Sequence, residues 1–384
     1  MRRIFLILIC LLPLCGCMQS KNVDEYAYVL NVGVERGTTL PYLVTVLVSV
    51  PGGTEDTKVK NAVLSAEART FSEAYETLNT AYPSRLSFSR ASLLAIGEDL
   101  AKSGEQTAFL NFAFGKPDLW QNLRVVVVKP PVRETFEGWL SEADPSLRKI
   151  KTAVGELSNA SGTTSDLGYT SYLEAIGDKR FDAMLTYAGT NEYSLAADLV
   201  GGETYPYVGG SMLVESTLKT STAGSAVFDG DRMVGVLDGR HTMEVQMTTG
   251  VFRKGEMLFT LPDRTLLSTA LYRLRAPKIR LKGGEATVEL FLEADVLSPV
   301  PVSTDGEELR RFLEAQLETE LSGVCAALQR ANSDAMGFGR FRAKQFRRVS
   351  DWENCDWKAE YRALSVRFCV TVMLSHNPRE TETE

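Results

Sequence analysis

No stretch of this chain is apolar for longer than the nine residues from Ile4 to Leu12. A helix that stays in a bilayer needs roughly 20 such residues, so the rest of the chain must fold into water-facing domains with cores of their own. Arg2 and Arg3 stand before the run, and Pro13 and a few small residues after it. That order of basic, apolar and small residues is an export signal. Residues 1–16 are therefore read as a signal peptide that the mature protein lacks.

The end of the signal carries a second message. Leu14-Cys15-Gly16-Cys17 resembles the bacterial lipobox, in which a small residue admits the peptidase and the thiol just after the cut takes the lipid. Cys17 is accordingly expected to be lipidated and to hold the chain to a membrane surface without a spanning helix, since each buried methylene contributes about 0.8 kcal/mol. Three further cysteines lie beyond Cys17: Cys325, Cys355 and Cys369. An odd number cannot all pair, and Cys325 falls on the apolar side of a predicted helix, where it reads as a small buried hydrophobe.

At 384 residues the chain has room for two or three domains. Its 44% hydrophobic and 24% charged residues are those of an ordinary globular protein. A net charge of -7 makes nucleic acid a poor partner. Without Arg2 and Arg3 the balance becomes 40 minus 49, or -9, which predicts a surface that does not cling to anionic lipid. Only His241 and His376 are histidines, which argues against histidine-based metal or triad chemistry.

Periodicity predicts a hairpin over 26–34 and 42–50, a helix over 71–82 with a Thr70–Glu73 capping box, a strand at 92–96, a helix at 106–114 and a strand at 124–128. Residues 132–190 are less regular, with helical fragments near Phe136 and Tyr172, and the polar stretch Asn159 to Asp166 reads as an exposed loop. After residue 205 the pattern is mostly strand. Ser225 to Leu237 forms a hairpin around Asp229-Gly230-Asp231, and Gly283-Gly284 joins another pair. A helix over 307–330 carries a continuous apolar stripe, and a last strand alternates from Leu364 to Leu374. The fold class is α+β: three mixed α/β-sheet domains over 17–200, 201–300 (β-rich) and 301–384, behind a lipidated N-terminus.

Catalytic patterns are weak. Ser146-Leu147-Arg148-Lys149 has the S-x-x-K spacing without the elements that accompany it in penicillin-recognising enzymes, and Gly337-Phe338-Gly339 is half of a dinucleotide fingerprint, better read as a tight turn. His241 and His376 read as surface or capping residues. No catalytic residue, metal ligand or cofactor is assigned, and the chain is read as a non-enzyme. Gly224, Phe228, Gly230 and Gly235 are assigned to hairpin geometry, with Phe228 in the core.

Several segments, in this order, resemble the Ger(x)C family of spore germination lipoproteins. They are Cys17 followed by Val32-Gly33-Val34-Glu35, LLAIGEDLAKSG at 93–104 with RVVVVK at 124–129, GSAVFDGDRMVGVL at 224–237, DAMGFGRF at 334–341, and the Trp357 region. Met18-Gln19 and Val236 stand where the family usually has Trp-Asp and Trp. The resemblance implies the C subunit of a nutrient germinant receptor, anchored by acylated Cys17 to the outer face of the spore's inner membrane. It also implies membrane-embedded A and B subunits as partners, with the nutrient bound by the B subunit. The alternatives are a solute-binding lipoprotein of an importer, which needs two hinged lobes of repeated βα units, and an exported cell-wall hydrolase, which needs a carboxylate pair or a metal in a groove.

Overall fold

The computed structural model describes residues 26–50, 60–113, 123–129, 131–142, 158, 160–192, 199–200, 208–214, 219–298 and 305–375. The signal segment with Cys17, the Ser146–Lys149 motif, Asn159, His376 and the acidic tail lie outside them.

The alternating valines build the start of the first sheet. β1 (Tyr26–Arg36) and β2 (Tyr42–Val50) form an antiparallel hairpin, and β3 (Lys60–Ala68) pairs with the outer side of β2. Helix α1 (Phe71–Ala81) begins at Thr70, whose side chain accepts the Glu73 N–H, while Glu73 reaches back to the Arg69 N–H. The short β4 (Arg85–Ser87) and then β5 (Leu93–Gly97) lie parallel to β1. α2 (Glu98–Ser103) and α3 (Gln106–Ala113) lead to β6 (Arg124–Val128). α4 (Val132–Glu142) and α5 (Tyr169–Gly177) lead to β7 (Met184–Thr190), again parallel. β8 (Thr220–Asp229) and β9 (Arg232–Leu237) close the sheet antiparallel. The order is β3-β2-β1-β5-β6-β7-β8-β9, with β4 beside β1.

Because β5 and β6 are apolar on both sides, this sheet is covered on both faces, as parallel strands require. One face packs Val32, Val34, Leu94, Ile96 and Val127 against Phe71, Phe109 and Tyr172 of the helices. The other packs Leu47, Leu93, Ala95 and Val126 under Phe136 and Trp139 of α4. The Val32–Glu35 segment shows how α4 is seated. A side chain at Gly33 would collide with Val132, and the Glu35 carboxylate accepts the Val132 N–H at 3.0 Å, placing negative charge at the helix N-terminus.

α6 (Gly239–Thr249) carries the chain to the second sheet. There β10 (Lys254–Thr260), β11 (Leu266–Arg273), β12 (Lys278–Lys282) and β13 (Glu285–Val296) are antiparallel. α7 (Gly306–Arg330), α8 (Gly339–Ala343), α9 (Val349–Glu353) and α10 (Trp357–Arg362) come next, and β14 (Ser365–Leu374) returns parallel to β13. α7 buries Leu309, Leu313, Leu317, Leu321, Val324, Cys325 and Leu328 against the sheet, each large side chain contributing about 1.5–3 kcal/mol. Glu314 and Glu318 of α7 also accept the Val372 and Val370 N–H groups at 2.9 Å, which occupies donors that an edge strand would otherwise offer to other chains.

The α+β class holds, with two sheets. The sheets do not follow the expected divisions at 200/201 and 300/301. β8 and β9 belong to the first sheet, and β10 to β13 share the second with β14. Hydrogen bonding across long sequence distances decides this, and periodicity carries no information about it. The exposed loop expected at 159–166 is also overturned for its described part. Thr164 and Ser165 are buried, because Thr164 bridges to Gly224 and the Ser165 hydroxyl donates to the Met184 carbonyl at 2.5 Å.

Candidate functional site

The feature that joins the two halves starts at the β8–β9 turn. Gly230 holds φ +60°, a conformation that costs a side-chain-bearing residue about 1 kcal/mol or more. Its N–H donates to Asp182 Oδ1 at 2.8 Å. Just before it, Phe228 is fully buried and meets Tyr172 edge-on at 5.6 Å between ring centres. Gly224 has φ +72°, and its N–H donates to the Thr163 carbonyl. A side chain at Gly235 would press on Leu199. The hairpin tip thus presents Asp229 beside Asp182.

The second half brings the complementary groups. After α7 the chain turns through Asn332 and Ser333 into Asp334. The Asp334 N–H donates to Asp182 Oδ2 at 2.6 Å, and the Asp182 N–H donates to the Asp334 carbonyl at 3.1 Å. Lys358 of α10 reaches in, its Nζ at 2.5 Å from Asp182 Oδ2, 2.7 Å from Asp229 Oδ1 and 2.8 Å from the Asn332 carbonyl. Asn332 Nδ2 donates to Asp229 Oδ2 at 2.8 Å. Asp334 is completely buried and accepts three N–H groups: Phe338 on Oδ1, and Gly339 and Trp357 Nε1 on Oδ2. Burial, opposed by these donors and assisted by the nearby Asp182 charge, pushes its carboxyl up to about 7. Gly337, at φ +74°, makes the tight turn expected of Gly337-Phe338-Gly339.

A second polar seam runs alongside. α6 is buried along nearly its whole length. Asp238 caps it by accepting the His241 N–H at 2.8 Å, and His241 is largely buried with Nδ1 3.0 Å from Asp238 Oδ1. Arg240 forks onto Glu320 of α7 at 2.8 Å and donates to the Leu258 carbonyl. Gln246 donates to the Thr164 carbonyl of the first half at 2.5 Å. Glu244 is fully buried, and burial together with the Glu320 charge holds its carboxyl well above the usual range.

Chemically the clasp is a lock. Both oxygens of Asp182, Asp229 and Asp334 are engaged by backbone or side-chain donors, and the lysine ammonium supplies the positive charge between two of them. Among the described residues no three His, Cys, Asp or Glu side chains are placed to hold a metal ion together. Cys325, Cys355 and Cys369 form no disulfide among the described residues, and burial pushes the Cys325 thiol up to about 12. The hairpin, the 334–341 segment and Trp357 each stand out in the sequence separately, but Asp182 and Lys358 do not. Neither belongs to a recognisable pattern, and only the fold brings them together across 176 positions.

Two family models match the chain. The spore germination protein N-terminal domain covers residues 19–188, and the spore germination B3/GerAC-like C-terminal domain covers residues 223–377. Among solved structures, the crystal structure of the GerBC protein has a similar fold, with a TM-score of 0.52 at 12% sequence identity over 90% of this chain and 97% of that one. No curated protein sequence matches the chain. The second family model begins inside β8, so the hairpin that completes the first sheet falls in the segment that also supplies Asp334 and Lys358.

Proposed function

This chain belongs to the GerAC-like family of spore germination proteins, and on that premise we propose that it is the lipid-anchored C subunit of a nutrient germinant receptor. It works as a non-enzymatic scaffold beside membrane-embedded A and B subunits. The observation that carries this reading is the clasp. Three of the segments singled out by their family resemblance, 224–237, 334–341 and the Trp357 region, converge on a buried lock between two sheets, where they set the relative placement of the halves. A protein whose distinctive residues fix its own geometry is suited to hold partners in register. The anchor is Cys17, lipidated on its thiol before residues 1–16 are cleaved away, at the outer face of the spore's inner membrane.

The test is genetic and biochemical. Cys17→Ala is expected to leave a folded chain that is lost from the membrane fraction and to slow germination in response to nutrients. An affinity tag on the wild-type chain is expected to retain the two membrane subunits from detergent-solubilised spore membranes. Normal nutrient germination in a strain lacking the chain would overturn the proposal.

A further inference from the structure

From Ala335 to Ser350 the chain has no carboxylate and carries Arg340, Arg342, Lys344, Arg347 and Arg348. Only Arg342 is engaged by a carboxylate, that of Glu360 at 2.7 Å, among the pairs formed by described residues. Arg340 lies over the Phe181 ring and Lys344 over Phe341, while Arg347 and Arg348 are exposed. The latter two, with Phe346, Val349, Trp352 and Glu353, line a cavity of about 550 Å³ whose opposite wall is Gly177 to Arg180 of the first half, and Asp351 and Glu353 are exposed on the same short helix as Val349 and Trp352. There Asp178 is occupied by Arg180, and Lys179 Nζ donates to the Glu353 carbonyl at 3.0 Å. Val349 is 73% exposed at the rim. Cations without a carboxylate partner among the described residues, beside an exposed valine and a half-buried tryptophan, have the chemistry of a headgroup contact. Aromatic rings favour the interface, and each Lys or Arg near an anionic surface adds to the attraction.

Topology places this face on the anchored side. β1, β5, β6 and β7 are parallel, so the segment that enters β7 after Arg180 does so at the end of the sheet where the chain enters β1 at Tyr26. Three strand spacings separate β1 from β7, about 14 Å. The nine steps from Cys17 to Tyr26 reach at most about 30 Å. The charge of -9 for the mature chain, which by itself predicts no affinity for anionic lipid, is revised as a guide for a single patch, because charges beyond about 8 Å are largely screened at physiological ionic strength.

We propose that the face carrying Arg347, Arg348, Val349 and Trp352 lies against anionic lipid headgroups, giving the chain a second membrane contact that sets its orientation. The proposal rests on anchoring through Cys17, which would hold the chain at the bilayer while the basic patch decides which face turns toward it.

The test uses the chain from residue 17 onward with Cys17→Ala, which retains every described residue, and sedimentation with vesicles of phosphatidylglycerol mixed into phosphatidylcholine or of phosphatidylcholine alone. Binding is expected only with phosphatidylglycerol, to weaken in about 0.5 M salt, and to fall at least about tenfold in Arg347→Glu/Arg348→Glu. That variant is expected to keep the wild-type melting temperature. Arg36→Glu, at the opposite end of β1, is expected to bind normally. Equal binding by the double variant, or no binding by the parent chain, overturns the proposal. Mass spectrometry of the cell-derived chain separates the two readings: an unmodified Cys17 removes the anchor, whereas an acylated Cys17 with no vesicle binding removes the patch alone.

Discussion

Two polar seams join the same two halves, and they differ in how their buried carboxyls are satisfied. In the clasp, Asp182, Asp229 and Asp334 have donors on both oxygens, and Lys358 bridges two of them. Along α6, Glu244, the Thr242 hydroxyl, Gln246 Oε1 and Asp238 Oδ2 are buried without a hydrogen-bond donor among the described residues. A buried charge is tolerated when compensated and otherwise takes up a proton. The clasp therefore ties its carboxyls to donors across the two halves, whereas along α6 the Glu244 carboxyl, 3.8 Å from Arg240, is raised by burial without a hydrogen-bond donor of its own. Disturbing the first should damage the docking of the halves and, at Asp334, also the pH dependence of stability, whereas disturbing the second should mainly change how stability depends on pH.

The largest effect is expected from Lys358→Met. It leaves Asp182 and Asp229 facing each other and should destabilise the protein by about 3 kcal/mol, measured by urea unfolding. A loss no greater than that of an exposed lysine would reduce the clasp to a surface pair. Asp334→Asn exchanges one acceptor for a donor that faces N–H groups and should cost about 2 kcal/mol. It also carries a pH signature. The Asp334 carboxyl sits at about 7 in the folded protein against an ordinary 3.8, so the folded state binds the proton more tightly. The stability it contributes is full below about pH 4 and is lost as pH rises through about 7. The asparagine variant should lack that decline, and an unchanged decline would show that another group causes it.

Gly230→Ala should cost about 1 kcal/mol, because φ +60° disfavours a side chain while no atom lies within 4 Å of the added carbon. Glu244→Gln should change least near pH 5, by under about 1 kcal/mol, since it mimics the neutral acid. Its sign is the informative part. The folded Glu244 carboxyl is raised above 4.5, so the wild type loses stability with rising pH, and the variant should gain on it between about pH 5 and pH 8. A constant difference across that range would mean that Glu244 is ionised in the folded protein and that both seams work alike.

Much of the local structure is legible from residue spacing. The β1–β2 hairpin, α1 with its Thr70 cap, the β8–β9 and β12–β13 turns, and the stripe of α7 all announce themselves, because each is set by contacts within a few residues or by one buried face. β3, with Lys60–Ala68 poor in strand formers, and β7, whose both faces are buried, show little alternation and give no strand signal. α6 is silent for a sharper reason. GRHTMEVQMTT has no polar face and apolar face to distinguish, since the helix lies between two halves and is buried all round. The polar segment at 160–166 misleads for the converse reason, because its hydroxyls and backbone find partners inside.

What the residues determined unaided was the periodic elements and the turn glycines, since these depend on neighbours along the chain. Which sheet the 220–237 hairpin joins, and that Asp182, Asp229, Asp334 and Lys358 meet, were decided only by the tertiary structure. Pairing of distant strands and compensation of buried charge depend on where the whole core closes, and no local pattern records that closure.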